Sequence, residues 1–501
     1  MHQSSNKNRP DTPDNQFLLR ESVSKNGSTP RGARKGADFH EKQPLFDRPL
    51  AEPVKLTPAW EETNLPNDEL NFKGVTMEQA DLEINPPRDW CKLVYFTLLL
   101  HGIGVLLPWN MFINARAYFV DFKLKPVNNG TDDMEQIRSN FMNYLTFAAQ
   151  IPNVIFNWLN VFVHIGGNLT TRIVWSIMVE VVLFIFTVAL AMTDSTEWRG
   201  TFFWCTILTV ILLNMANGIY QNTVFGMAAK LPFKYTGAVI LGTNISGTFT
   251  SILNLAARLS APNLRTAAIY YFITALFVLL VCFDTYFALP LNRYYRYHEL
   301  LGKKTQHRQG AGGRAHKPRI PYGTIIKQCW PQLYNVFFIF FVTLAVFPAL
   351  IASIKPSNEK FFVPKDIFSD VTCFLTFNVC AMLGSLLATW ISWPSPKYLA
   401  IPVTLRVLFI PFFVFCNYVP HDKRILTILI YNEYVFWGGV VLMAFTSGYF
   451  SALGMEFCPR SVEPQNAPIA GMLGGAFMIT GIFSGVVFSM IFPPLVSLIP
   501  L

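Results

Sequence analysis

The chain has 501 residues, 52% of them hydrophobic and only 14% charged, with 45 phenylalanines. Soluble domains carry about 25% charged residues, so the composition excludes an ordinary water-soluble globule and points to a membrane protein. The formal net charge of +9 is concentrated in two places: residues 1–92 hold 13 of the 40 Lys and Arg, and Leu291–Lys327 hold nine. That pattern describes two basic segments beside a membrane, not a nucleic-acid surface.

Residues 1–88 are rich in Asn, Ser, Pro, Gly, Lys and Arg without apolar periodicity, which predicts a disordered cytoplasmic tail. No apolar stretch follows the first residues, so a signal peptide is not expected. Within the tail "DNQFLL" places Asp14, Leu18 and Leu19 in the pattern of an acidic dileucine sorting signal. The plasma membrane is the first expectation for residence, and this motif makes an endolysosomal membrane the alternative.

Beyond the tail, apolar segments long enough to cross about 30 Å of hydrocarbon recur. They lie at 93–120, 139–163, 173–193, 200–229, 235–259, 266–290, 330–354, 368–392, 398–418, 433–457 and 467–495. These predict an all-α polytopic membrane protein of eleven transmembrane helices. A six-helix bundle would occupy 89–290, a basic cytoplasmic loop 291–329 and a five-helix bundle 330–501. The tail and the loop fall on the same side, and their dense positive charge assigns that side to the cytosol. The shorter loops have the opposite bias, but the sequon at Asn129 then falls in the first external loop, where glycosylation reaches it. The eight cysteines sit mostly in or beside apolar runs with no C-x-x-C pair, so neither a disulfide framework nor a metal site is expected.

Inside these apolar segments the polar residues are periodic. In the second, Asn143, Thr146, Gln150, Asn153, Asn157 and Asn160 follow 3–4 spacing and share one helix face. One or two amides would serve as glue between helices. Six in a stripe, which could not face lipid, predict a wet cavity. Similar stripes appear in the fourth segment (Asn214, Gly218, Gln221, Phe225), the fifth (Thr243, Ser246, Thr250, Asn254, with Arg258 at the edge) and the eighth (Phe374, Asn378, Ala381, Ser385). In the first, Trp109, Phe112, Ile113 and Arg116 share a face just after Pro108. A proline there removes a backbone hydrogen bond and re-aims the turn carrying Trp109. An indole ring with neutral amides suits a planar, polar, uncharged ligand, whereas an anion would call for converging basic residues.

No phosphate-binding G-x-x-x-x-G-K-[ST] and no H-E-x-x-H, G-x-S-x-G or Cys–His cluster is present, so neither an ATP motor nor a membrane enzyme is expected. No cofactor and no obligate protein partner are implied. The apolar-segment residues His101, Glu180 and Asp284 are isolated, and read as packed or locally paired groups as readily as proton carriers.

Several stretches together resemble one family. "LLPWN" in the first segment and "NGIYQNTVFGMAAKLPFKYTGAVILGTNISG" (Asn217–Gly247) are followed, in order, by "YYFITALFVLLVCFDTYFALPLNRYYRYHEL", "FFVPKDIFSDVTCFLTFN", "PFFVFCNY" and "TSGYFSALGM". This ordered set, covering about 92–495, is similar to the equilibrative nucleoside transporters. The resemblance implies a major-facilitator-like fold in a 6+5 arrangement, working by rocker-switch alternating access as a facilitative carrier of nucleosides. It implies substrate contacts at Trp109, Ile113, Asn153, Gln221, Gly242, Asn378 and Ile482. Pro108, Gly218, Gly226 and Gly247 are expected to serve helix packing and gating.

One departure stands out. Typical members carry an acid and an arginine in the eighth helix that hold the sugar hydroxyls, and the matching positions here are Ala381 and Ser385. Arg116 and Arg258 are then candidate substitutes. The loss also admits nucleobases, organic cations or another atypical substrate as alternatives. A cation would want an acid in the cavity, for which Glu180 and Glu456 are the candidates, and a non-transporting receptor is the remote alternative.

Overall fold

The computed structural model describes residues 86–115, 118–125, 134–163, 169–260, 264–310, 320–356, 361–418 and 424–498. The tail with Asp14, Leu18 and Leu19, the substitute candidate Arg116 and the sequon Asn129 lie outside the described residues, and Arg258 is described only in its main chain. The long helices are α1 (Leu93–Asn114), α2 (Phe141–Phe162), α3 (Leu169–Met192), α4 (Arg199–Ala228), α5 (Lys234–Ser260) and α6 (Leu264–Ala288). A polar helix at Arg293–Gly310 follows, then α7 (Tyr322–Val346) and α8 (Thr376–Ala388), the latter entered through a wide turn at Asp370–Leu375. The last three are α9 (Ala400–Val414), α10 (Glu433–Arg460) and α11 (Ala467–Ser489).

Among the described residues eight helices are long and apolar enough to cross a membrane. They contain α1, α3, α4, α6, α7, α8, α10 and α11, which makes the chain a multi-pass membrane protein. The long helices α2 and α5 carry the richest polar stripes, and α9 is short.

The buried apolar residues explain the shape of the interior. At one end of the bundle two separate cores form. One joins Phe112, Phe141, Phe184, Phe202 and Phe272 of the first six helices with Phe119 from the segment after α1. The other joins Val346, Phe368, Phe413, Phe436 and Phe492 of the later ones. At the basic-loop end the cores cross between the halves: Val224, Phe225 and Val239 cluster with Val336, Leu453 and Met478, and Val161 clusters with Leu333 and Met472. Early and late helices that share apolar contact at one end and form separate cores at the other leave a cleft between them.

Small residues let paired helices come close. Where α1 crosses α5, a Cβ on Gly242 would stand 3.0 Å from the Gly102 Cα and would overlap the Leu99 carbonyl. Gly102 meets the Val239 carbonyl in the same way. In the other half, α8 and α10 use Gly384 against Phe445 and Gly448 against Ala381. Gly218 holds α4 against α2, its added Cβ lying 2.8 Å from the Asn153 carbonyl oxygen. Pro108 lies within α1, which continues through it to Asn114.

Candidate functional site

The cleft is a cavity of about 1480 Å³. Its lining runs from Gln221, Ile240 and Met478 to Asp121, Lys355 and Asp370, residues at the end away from the basic loop. The interior is therefore reached from that end.

Six of the seven residues expected to touch substrate line this cavity: Trp109 and Ile113 on α1, Asn153 on α2, Gln221 on α4, Asn378 on α8 and Ile482 on α11. Gly242 is not among the lining residues and packs on the α1 backbone instead. The α2 stripe divides: Asn143, Thr146, Gln150 and Asn153 line the cavity, whereas Asn157 and Asn160 are fully buried below it. Periodicity assigned all six to one face correctly but could not tell where along that face the water ends.

The hydrogen bonding of this wall is incomplete. Gln150 Oε1, Asn217 Oδ1 and Gln221 Oε1 are buried without a hydrogen-bond partner, and all three residues line the cavity. A buried acceptor left unpaired is costly, so these amides gain a bond if a side-chain turn brings the oxygen to a ligand N–H or O–H. Across the cleft, Asn378 donates to Ser251 Oγ at 2.9 Å, and Phe347 stacks on Phe377 with ring centroids 3.8 Å apart. The acids lining the cavity, Asp121 and Asp370, are at its mouth. Glu180 is fully buried in α3 away from the lining, and Glu456 packs on Gly237 of α5.

Ala381 and Ser385 do not line the cavity; they are 2% and 0% exposed. Gly448 of α10 packs on the main chain of Ala381, where even a methyl group on Gly448 would overlap the Ala381 carbonyl. Sequence reasoning missed Arg406 on α9, which is 3% exposed and donates to Thr343 Oγ1 at 2.8 Å. The signal was there: an ionised residue inside an apolar segment is expensive and rarely without a task.

The basic-loop end is closed by polar as well as apolar contacts. Asn222 donates to the Met472 carbonyl at 2.7 Å and to Asn157 Oδ1 at 2.9 Å, and Trp158 Nε1 donates to Thr480 Oγ1 at 2.9 Å. Arg172 donates to Asn160 Oδ1 at 3.1 Å, and Asn160 in turn donates to Asn222 Oδ1 at 3.0 Å. Replacing Asn222 by Ala removes bonds from α4 to both α2 and α11, worth about 1 kcal/mol each. In a background lacking the accessible Cys91, Cys205 and Cys380, a cysteine at Asn157 already forgoes its bond from Asn222, so loss of the Met472 bond should make it react about fivefold faster with an impermeant thiol reagent from the loop side. Unchanged labelling would show that apolar packing alone holds this end shut.

A bundle of apolar helices around an amide-lined cleft, open at one end and sealed at the other, is the architecture of a membrane transporter. The proton:xylose symporter XylE, a major facilitator superfamily protein, has the same fold, with a TM-score of 0.58 at 12% identity over 80% of this chain and 88% of that one. The profile of the nucleoside transporter family matches residues 207–493. Equilibrative nucleoside transporter 1 of Rattus norvegicus is 30% identical over 462 residues, covering 82% of this chain and 99% of its own. Equilibrative nucleoside transporter 2 of Homo sapiens is 29% identical over 458 residues, 82% of this chain and 98% of its own. The chain belongs to the nucleoside transporter family.

Proposed function

We propose that the protein is a facilitative carrier that moves nucleosides down their gradient by alternating access, and not an enzyme. The observation that carries this reading is the set of unpaired amide oxygens, Gln150, Asn217 and Gln221, in a cavity with no acid among the described residues of its depth. A nucleobase offers N–H donors and a flat face to such a wall, and its sugar adds hydroxyls without adding charge. An organic cation would meet no carboxylate there, which disfavours that alternative. Trp109 is the ring for the base, Gln221, Asn378 and Asn153 its polar contacts, and Ile113 and Ile482 the apolar walls.

In this reading eleven helices span the membrane, six over 89–290 and five over 330–501, joined by the basic loop 291–329. They rock about a site near the midplane, as transporters of repeat architecture do. The tail and loop are cytosolic, the cavity faces outward, and the plasma membrane is the site of residence. Asn129 is the glycosylation site of the first external loop.

Purified protein in proteoliposomes should take up radiolabelled uridine and adenosine without an ion gradient, and preloaded unlabelled nucleoside should accelerate entry. Binding without such counterflow would make the protein a receptor. Flux of nucleobases or monoamines but not nucleosides would overturn the substrate assignment.

A further inference from the structure

We propose that Arg406, Thr343 and Ser447 form a hydrogen-bond relay that presents a polarised hydroxyl to the cavity as the site for the sugar oxygens of the substrate, with Arg406 as a positioning residue. The inference rests on the nucleoside reading and deepens it, by naming what takes over from the acid and arginine absent at Ala381 and Ser385.

Arg406 belongs to α9 and does not line the cavity; it lies behind its wall. Its Nη2 donates to Thr343 Oγ1 at 2.8 Å and to the Met443 carbonyl at 3.2 Å, while Nε and Nη1 are buried without a hydrogen-bond partner. The recorded acceptors are a hydroxyl and a carbonyl, with no carboxylate among them. A guanidinium stays protonated, and in a low-dielectric wall its field acts strongly on the dipoles beside it.

The first such dipole is the Thr343 hydroxyl, and the next is Ser447, whose Oγ lies 3.0 Å from Thr343 Oγ1. Both residues line the cavity. A cation draws hydroxyl oxygens toward itself and turns their hydrogens away. Thr343 accepts from Arg406, and its own hydrogen has two acceptors in reach: the Ile339 carbonyl at 2.7 Å and Ser447 Oγ. When it turns to Ser447, the serine hydrogen is left for the cavity. The order then runs N–H to Thr343 to Ser447 to ligand, every donor pointing away from the charge, and each bond strengthens the next. The ligand atom that completes it is a neutral oxygen with free lone pairs.

Position supports a sugar oxygen. Ser447 immediately precedes Gly448, the residue packed on Ala381. Ala381 and Gly384 let α8 and α10 approach closely here, and α10 carries the Ser447 hydroxyl one residue from Gly448. The amide wall of α2 and α4 lies across the cleft from Ser447, so the sugar would be held by the later helices while the base, apart from its contacts to Asn378 and Ile482, is held by the earlier ones. A substrate that bridges them favours closure of the cleft.

The test compares transport of uridine with that of 2′,3′-dideoxyuridine in the full-length wild type and in Ser447→Ala, Thr343→Val, Thr343→Ser and Arg406→Met. The wild type should prefer uridine. Ser447→Ala, Thr343→Val and Arg406→Met should each cut that preference by about tenfold, the loss expected when one hydrogen bond to substrate goes. The change should appear chiefly as a raised KM for uridine, and Thr343→Ser should restore the wild-type ratio. An unchanged ratio in Ser447→Ala or Thr343→Val, or a parallel loss of both substrates in every variant, overturns the relay. If Arg406→Met does not reach the membrane, Thr343→Val, which cuts the guanidinium from Ser447, decides alone. A wild type that carries neither compound overturns the nucleoside reading itself, whereas one that carries uridine with insensitive variants overturns only the relay.

Discussion

Gly242→Val should eliminate transport by removing the folded protein, with surface abundance and uridine uptake falling together to background. The position lies where α5 crosses α1, and even a methyl group there overlaps the Leu99 carbonyl and stands 3.0 Å from the Ile103 amide nitrogen. Overpacking of a core by flexible side chains costs about 1–3 kcal/mol. Here the obstacle is main chain on both sides, since Gly102 faces α5 in the same way, so the helices must separate and the cost is larger. Native stability is itself only about 5–15 kcal/mol. Abundance measured by surface labelling separates this from a direct contact with substrate. A variant present at normal levels with only a raised KM would return Gly242 to the binding site.

Trp109→Ala should leave the protein abundant but raise the KM for nucleosides by about 10- to 100-fold, the range set by stacking energies of about 1–3 kcal/mol per base. Trp109 borders the cavity and is only partly buried, so truncating it opens no sealed void. Trp109→Phe should recover most of the affinity, because the flat ring is kept and only the indole N–H is lost. Uptake kinetics over a range of uridine concentrations would decide it. Equal KM values for the three proteins would reduce Trp109 to a piece of wall.

Much of the site was legible because amides in apolar helices have so few tolerable places to be. Asn153, Gln221 and Asn378 were found by spacing alone, and each borders the cavity. Legibility stopped where the outcome depends on a neighbouring helix. Asn157 and Asn160 have the same spacing as Asn153, yet they are consumed by bonds to Asn222 and from Arg172. Gly242 entered as a substrate contact through the resemblance and not through any stripe, and only its distance from α1 shows that it packs on that helix. Ala381 and Ser385 looked like a deficit in the cavity, yet both are buried and neither is among its lining residues.

By itself the sequence determined that the chain crosses the membrane many times, that its polar stripes are built mainly of neutral amides and hydroxyls, and which faces carry them. These follow from transfer free energies and helical period, properties of one segment at a time. The tertiary structure alone decided which polar residues reach the cleft, which lock its closed end, and that Arg406 stands behind Thr343 and Ser447. Those outcomes depend on which helices meet and how closely, and a distance of 2.8 Å between residues 63 positions apart is set by packing across the whole bundle.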